Sequence, residues 1–338
     1  MAKNYKKNIE MTNPKISVIM PVYNLEAYVG EAIDSIINQT FTDWELIIVN
    51  DGSCDATAEI VRQYTDKRII FIDNPRNKKK PACLNQAISI ARGDYFIIMD
   101  GDDKSFPDRL QKKYDYMESH IEILACGCQI QRFGMSDTII KWPTEYEDIY
   151  LGLLNGCVFN FPLVRMSAYK AYNLSFDEDM LAEDYLMWIK LANLGEIVAL
   201  PDVLYLYRTH EKQISITNLK NINEATIQEK DIMFRLLNQK LEVSCDEHYE
   251  FWSRSKQDEN VLLEKAERII HLIKNNANRR VFTDKLNYVL SKMWYRQLFQ
   301  SKTLIQAIRI LYHQKQLRYY GRLNIVNYIY LCFKLIKR

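Results

Sequence analysis

Glycine is scarce in this chain, with ten in 338 residues, and none falls into G-x-G-x-x-G or G-x-x-x-x-G-K-[ST] spacing. That absence excludes a glycine cradle for phosphate, so any phosphate bound here is held by side chains and metal. No stretch reaches about 18 uninterrupted apolar residues, which argues against a transmembrane helix. Met1 to Pro14 is polar and basic, unlike a signal peptide, so the expected compartment is the cytosol or its membrane face. The seven cysteines are odd in number and scattered, which excludes a disulfide framework; Cys126 and Cys128 stand too close for ordinary zinc ligation. Acidic residues stop at Asp284, while Lys and Arg continue to Arg338. The net charge of +2 hides that asymmetry, which points toward an anionic surface.

What is present reads as strands alternating with helices. Ile16–Met20, Glu45–Val49, Arg68–Ile72 and Tyr95–Met99 are short apolar runs with strand character. Helical spacing fills Leu25–Asn38 and Ala56–Tyr64. Pro81–Ala91 has proline in its first turn and Gly93 past its end. This alternation predicts an α/β fold, a Rossmann-like and mostly parallel sheet with flanking helices. Ligands of such sheets bind beyond the carboxyl ends of the strands. Tyr23-Asn24, Asp51 and Asp100 to Asp103 all follow strands, so chain order alone converges them on one rim. Further along, Glu178–Leu194 reads as one amphipathic helix closed by Gly195. Ile197–Tyr207 reads as a strand-rich stretch broken by Pro201. Beyond about residue 216 strand signals fade and long helical patterns predict a C-terminal helical lobe.

Asp100-Gly101-Asp102-Asp103 crowds three carboxylates at one strand end. Close like charges raise one another's pKa unless a cation intervenes. A hard cation, Mn²⁺ or Mg²⁺, takes carboxylate oxygens and shares its coordination with substrate phosphates. A solvated acidic turn is the competing reading, weakened by the two other strand-end clusters. An EF-hand is excluded because Gln111, not Glu, lies eleven residues after Asp100.

Five pieces in order carry a family resemblance: Ser17-Val-Ile-Met-Pro-Val-Tyr-Asn24, Val49-Asn-Asp-Gly-Ser53, Lys80-Pro-Ala-Cys-Leu-Asn85, Gly93 through Asp103, and Glu183-Asp184. Together they resemble family 2 glycosyltransferases, which have the GT-A fold and invert the anomeric centre. The resemblance covers roughly the first two-thirds of the chain. It implies an N-terminal extension over 1–14, a catalytic domain over 15–215 and a helical region over 216–338. It implies that Pro21, Val22, Tyr23 and Asn24 lie against the nucleotide base and that Asp51 bonds the base, which suits a UDP-sugar. Tyr23 as a packed aromatic and Asp51 as a turn cap remain the alternatives. Asp100 would face the ribose or metal, with Gly101 beside it, and Asp102 would bind the metal; Asp103 has no assigned role. Lys80 matches a lysine near the diphosphate, but Lys79 stands where the pattern usually has glycine. Which of Lys78, Lys79 and Lys80 points inward is open at this level.

Asp184 matches the family's general base, with Glu183 beside it. Direct displacement with inversion needs such a base opposite the leaving diphosphate. Arg208 would hold the diphosphate or pair with a helix carboxylate. His210 would complete the metal shell, contact the diphosphate or sit in a surface loop. Trp142-Pro143 and Phe159 to Pro162 would line an acceptor groove or pack in the core. The acceptor implied is a glycan or lipid-linked oligosaccharide of bacterial surface-polysaccharide synthesis. A non-catalytic nucleotide-sugar or glycan-binding module is the main alternative. A nucleotidyltransferase would want a glycine-rich phosphate loop where this chain has Pro21-Val-Tyr-Asn24.

From Lys285 to Arg338, basic residues interleave with aromatics such as Trp294, Tyr319, Tyr328 and Phe333. That pattern suits a helix on an anionic membrane surface, with packing on the catalytic lobe as the rival. No nucleic-acid recognition motif accompanies it. On the membrane reading, truncation near Arg322 releases the protein from vesicles containing anionic lipid in a flotation assay. Unchanged flotation rejects that reading.

Overall fold

The structure, a computed structural model, describes residues 13–153, 157–180, 183–211, 213 and 232. In chain order its elements are β1 (Ile16–Val22), α1 (Val29–Ile37), β2 (Trp44–Asn50), α2 (Thr57–Arg62), β3 (Ile69–Asp73), α3 (Lys80–Ile90), β4 (Tyr95–Ile98) and β5 (Lys104–Ser105). There follow α4 (Arg109–Ser119), β6 (Ala125–Gly134), β7 (Ile139–Ile140), α5 (Tyr146–Gly152), β8 (Leu163–Arg165), α6 (Met166–Ala171), α7 (Glu183–Leu194) and β9 (Ile197–Thr209). Two compact units divide the chain: residues 1–144 with 159–218, and residues 145–158 with 219–338. In the second unit, α5 is the described helix. The expected C-terminal lobe and its basic, aromatic tail lie outside the described residues. Among the described residues no helix is long and apolar enough to cross a membrane.

Among the described residues of the first unit, nine strands form one sheet in the order β3-β2-β1-β4-β8-β6-β9-β5, with β7 on β6. The β3-β2-β1-β4 block is parallel throughout. Every residue of β1, β2 and β4 is buried, as expected for central strands covered by helices on both faces. The second half is mixed: β8 runs antiparallel to β4 and β6, whereas β6 and β9 pair in parallel. Val22 pairs with Asn50 across β1 and β2, and Ile19 with Ile98 across β1 and β4. Parallel register thus brings Tyr23, Asp51 and Asp100 out at the same edge.

Two sequence expectations change. Glu178 itself lies in a turn, the helix is described over Glu183–Leu194, and most of its residues are buried, Tyr185 through Ile189 without interruption. It is an interior helix, not an amphipathic surface one. The break expected at Pro201 is absorbed in β9: the pairing jumps from Gly127↔Ala199 to Gln129↔Val203, and the strand continues to Thr209. A proline that cannot donate to the ladder is tolerated at such a bulge.

At the opposite end of the parallel block lies a buried polar knot. Glu45, 1% exposed, accepts hydrogen bonds from Ser17 Oγ (2.7 Å), the Arg92 N–H (2.7 Å) and the Arg92 guanidinium (2.7 and 2.9 Å). The Gly93 N–H donates to Ser17 Oγ at 2.9 Å. A Cβ on Gly93 would meet the Ser17 backbone nitrogen at 2.6 Å and the Tyr95 carbonyl at 2.7 Å. Backbone cannot yield as a flexible side chain can. Gly93→Ala is therefore expected to cost about 1–3 kcal/mol, read as a lower melting temperature; an unchanged melting temperature contradicts it.

Candidate active site

The site is assembled at the carboxyl edge of the parallel strands. From β1, Pro21 and Val22 are buried sheet residues, so only Tyr23 (43% exposed) and Asn24 present side chains outward. Asn24 takes a left-handed backbone, φ 52°, which asparagine tolerates. Its Oδ1 accepts the Cys54 N–H (2.8 Å) and its own N–H donates to Ser53 Oγ (2.9 Å), fastening the β1 loop to the turn after β2. Asp51, 4% exposed, accepts the Lys78 N–H through Oδ1 at 2.6 Å. The expected base-side carboxylate thus also caps the loop that precedes α3.

That loop settles which lysine faces the carboxylates. Lys78 and Lys79 are exposed, and Lys79 has φ 72° and ψ 157°, a region that glycine enters freely and other residues rarely do. The chain therefore keeps the turn of the resembled pattern without its glycine. Lys80, the next residue, points inward. Its Nζ lies 2.9 Å from Asp100 Oδ1 and 3.5 Å from Glu183 Oε1.

After β4 the carboxylate turn fits closely against β1. A Cβ on Gly101 would meet Val22 Cγ1 at 2.6 Å and Leu25 Cδ1 at 2.9 Å, so glycine lets the backbone approach. The three aspartates separate into different environments. Asp100 faces Lys80. Asp102 meets His210, with Oδ2 to Nε2 at 3.1 Å. Asp103, with no exposed surface, points inward and accepts the Arg208 N–H at 2.7 Å.

Arg208 follows the helix-carboxylate alternative. It pairs with Glu31 of α1 at 3.1 Å and donates from Nε to the Asp102 carbonyl at 2.7 Å. Its guanidinium carbon lies 4.8 Å from the Tyr28 ring centroid and 4.4 Å from that of Phe133. Phe159 and Phe161 also take the core alternative. Phe159 is fully buried, and Phe161 stacks on Tyr205 at 3.7 Å. Tyr205, on β9, was not singled out by sequence, because a tyrosine in an apolar strand carries no signal of its own. Its hydroxyl accepts the Asp100 N–H at 3.2 Å.

Burial and charge work against each other here. Burial opposes the Lys80 ammonium, but Asp100, Glu183 and Asp184 outweigh it and hold its pKa well above the usual lysine value. Burial pushes Glu183 up to about 7 against the Lys80 cation, with the Asp184 charge adding to the rise. Asp184 is raised by burial as well, again against Lys80. Asp102 is raised by burial and by the Asp100 charge, with His210 opposing. Asp102 and His210 offer one oxygen and one nitrogen to a divalent cation. Among the described residues no group of three or more His, Cys, Asp and Glu is placed to hold one alone. The donor set therefore fits a metal whose remaining ligands come from a bound phosphate.

Because the folded Glu183 pKa lies above the ordinary value of 4.5, the folded state binds more protons than the unfolded state between these values. Stability from this group is complete below about pH 4.5 and is lost as pH rises through about 7. Glu183→Gln is expected to raise the melting temperature at about pH 8, with the gain fading toward about pH 5. A gain that does not vary with pH contradicts the assignment.

Comparison with known proteins agrees with this architecture. The sequence model of "Glycosyl transferase family 2" matches residues 17–179. An uncharacterized glycosyltransferase of Haemophilus influenzae is 35% identical over 219 residues, covering 60% of this chain and 68% of the relative. EpsE of Bacillus subtilis, which bears a glycosyltransferase name, is 46% identical over 193 residues, covering 54% of this chain and 69% of its own length. The structure of S. aureus TarS 1-349 in complex with UDP superimposes with a TM-score of 0.55 at 20% identity, covering 84% of this chain and 91% of that one. That likeness shows the fold, a GT-A-like α/β sheet flanked by helices. With five motifs in order and relatives of this similarity, the chain belongs to glycosyl transferase family 2 and is a nucleotide-sugar-dependent glycosyltransferase.

Proposed function

We propose that this enzyme is an inverting, metal-dependent transferase that moves a sugar from a UDP-sugar to a hydroxyl of a glycan or lipid-linked oligosaccharide in surface-polysaccharide synthesis. One observation carries the reading: Lys80 Nζ lies within ion-pair distance of both Asp100 and Glu183. It ties the carboxylate turn after β4 to the first turn of α7, so the donor and acceptor groups belong to one site. The catalytic domain proposed on this reading spans 15–215.

In this mechanism Tyr23 and Asp51 form the base side, and Lys80 neutralises charge near the diphosphate. Asp102 and His210 would hold Mn²⁺ or Mg²⁺, which would supply positive charge against the departing diphosphate. Asp184 takes the proton of the acceptor hydroxyl. The acceptor oxygen forms its bond to the anomeric carbon as the bond from that carbon to the phosphate oxygen breaks, and the electron pair leaves with the nucleoside diphosphate. A carboxylate whose pKa burial has raised is the better base for this step, provided it stays ionised. Lys80 opposes the rise. Both α7 carboxylates also stand at the helix N-terminus, where the helix dipole favours negative charge. Uracil is favoured because Asp51 presents a carboxylate acceptor to an imide N–H.

The test is a panel of nucleotide sugars assayed for metal-dependent hydrolysis and for transfer. Asp102→Ala is expected to abolish the metal-dependent part of donor binding. Asp184→Asn is expected to leave donor binding within about twofold while transfer falls by about 10²-fold or more. Full transfer by Asp184→Asn removes the base assignment. Nucleotide binding by the wild type without any turnover leaves the non-catalytic binding module as the surviving reading.

A further inference from the structure

Tyr205 belongs to no motif, yet it lies directly behind the carboxylate turn. It is fully buried on β9, where Ser105 of β5 pairs with it. Its hydroxyl accepts the Asp100 N–H and faces the Asp103 carboxyl. Asp103 Oδ1 is taken by the Arg208 N–H, while its Oδ2 has no ordinary hydrogen-bond partner among the described residues.

The ring itself is clamped. Phe161 stacks on it at 3.7 Å and 15°, and the Arg109 guanidinium carbon lies 4.5 Å from its centroid. Phe161 has φ 47°, which an aromatic residue adopts only when its surroundings compel it. What compels it is visible: two buried cations, Arg109 NH2 at 3.4 Å and Lys113 Nζ, both donate to the Phe161 carbonyl. Arg109 is anchored in turn to Ser105 Oγ (2.8 Å) and the Ile98 carbonyl (3.0 Å). A fully buried guanidinium and a fully buried ammonium, with no carboxylate bonded to either among the described residues, thus converge on the carbonyl of the residue that stacks on Tyr205.

We propose that Tyr205 is a positioning residue: its clamped hydroxyl holds the Asp100–Asp103 turn in the shape that receives a cation-bound nucleoside diphosphate. This rests on the metal-dependent donor site argued above. Tyr205 touches no substrate; it acts through the Asp100 backbone and the Asp103 carboxyl, fixing how Asp102 is presented beside His210. Without the hydroxyl, the Asp100 N–H loses its partner. The turn would then relax toward other hydrogen bonds.

The experiment measures the affinity for UDP with and without Mn²⁺, by calorimetry on the full chain. Wild type should bind UDP more tightly with Mn²⁺. In Tyr205→Phe, which keeps the ring and its stack, that Mn²⁺ gain should shrink about tenfold, while metal-free UDP affinity stays within about twofold. Phe161→Leu loosens the clamp but keeps the hydroxyl, and should lose part of the gain, about threefold. It decides the question alone if Tyr205→Phe does not fold. Retention of the full Mn²⁺ gain by the folded variants overturns the proposal. So does a parallel fall of both affinities with melting temperature, the mark of a merely structural tyrosine. A wild type that binds UDP without any Mn²⁺ gain removes the metal reading itself, and this inference with it.

Discussion

Lys80 stands between two groups of carboxylates that would otherwise repel one another. Asp100 is on one side, at the end of β4, and Glu183 is on the other, at the start of α7. Removing so much negative charge from water costs several kcal/mol per ion unless each finds a counter-charge. The cation is what allows α7 to carry two acidic residues into the interior beside the carboxylate turn. The Lys79 backbone, in a conformation few non-glycine residues adopt, is the local cost of that placement.

The carboxylate turn shows how neighbouring like charges are kept apart by direction. Asp100 looks toward Lys80, Asp102 toward His210 and Asp103 inward to Arg208. Each has its own partner, and all three belong to one short turn that Gly101 presses against β1. Three of the partners, Tyr205, Arg208 and His210, lie on or just after β9. The long pairing of β9 with β6 thus sets the back wall of the site as much as the parallel strands set its floor.

Most of the parallel half was legible in the sequence. Apolar runs of strand length, punctuated by polar clusters, place β1, β2, β3 and β4 in order, and parallel register does the rest. The boundaries of α3 and β4 fall within a residue or two of the expectation. The second half was less legible because its elements do not announce their partners. β8 is three residues long, β5 two, and α7 is buried on nearly every side, which erases the helical alternation. Phe159 and Phe161 could equally have lined a groove or filled the core; only packing against Trp188 and Tyr205 decides for the core.

By itself the sequence determined which residue types stand at the strand ends: Tyr23 and Asn24, Asp51, and the Asp100–Asp103 carboxylates, a set suited to a cation. These follow from chain order and from apolar runs of strand length, both local properties. Tertiary structure alone decided which lysine turns inward, which aspartate is buried and that Arg208 answers a helix carboxylate. It alone placed the Tyr205 hydroxyl against the Asp100 N–H. Those outcomes depend on contacts between segments about 100 residues apart, as Asp102 is from His210, and no local pattern encodes which distant group will be the neighbour.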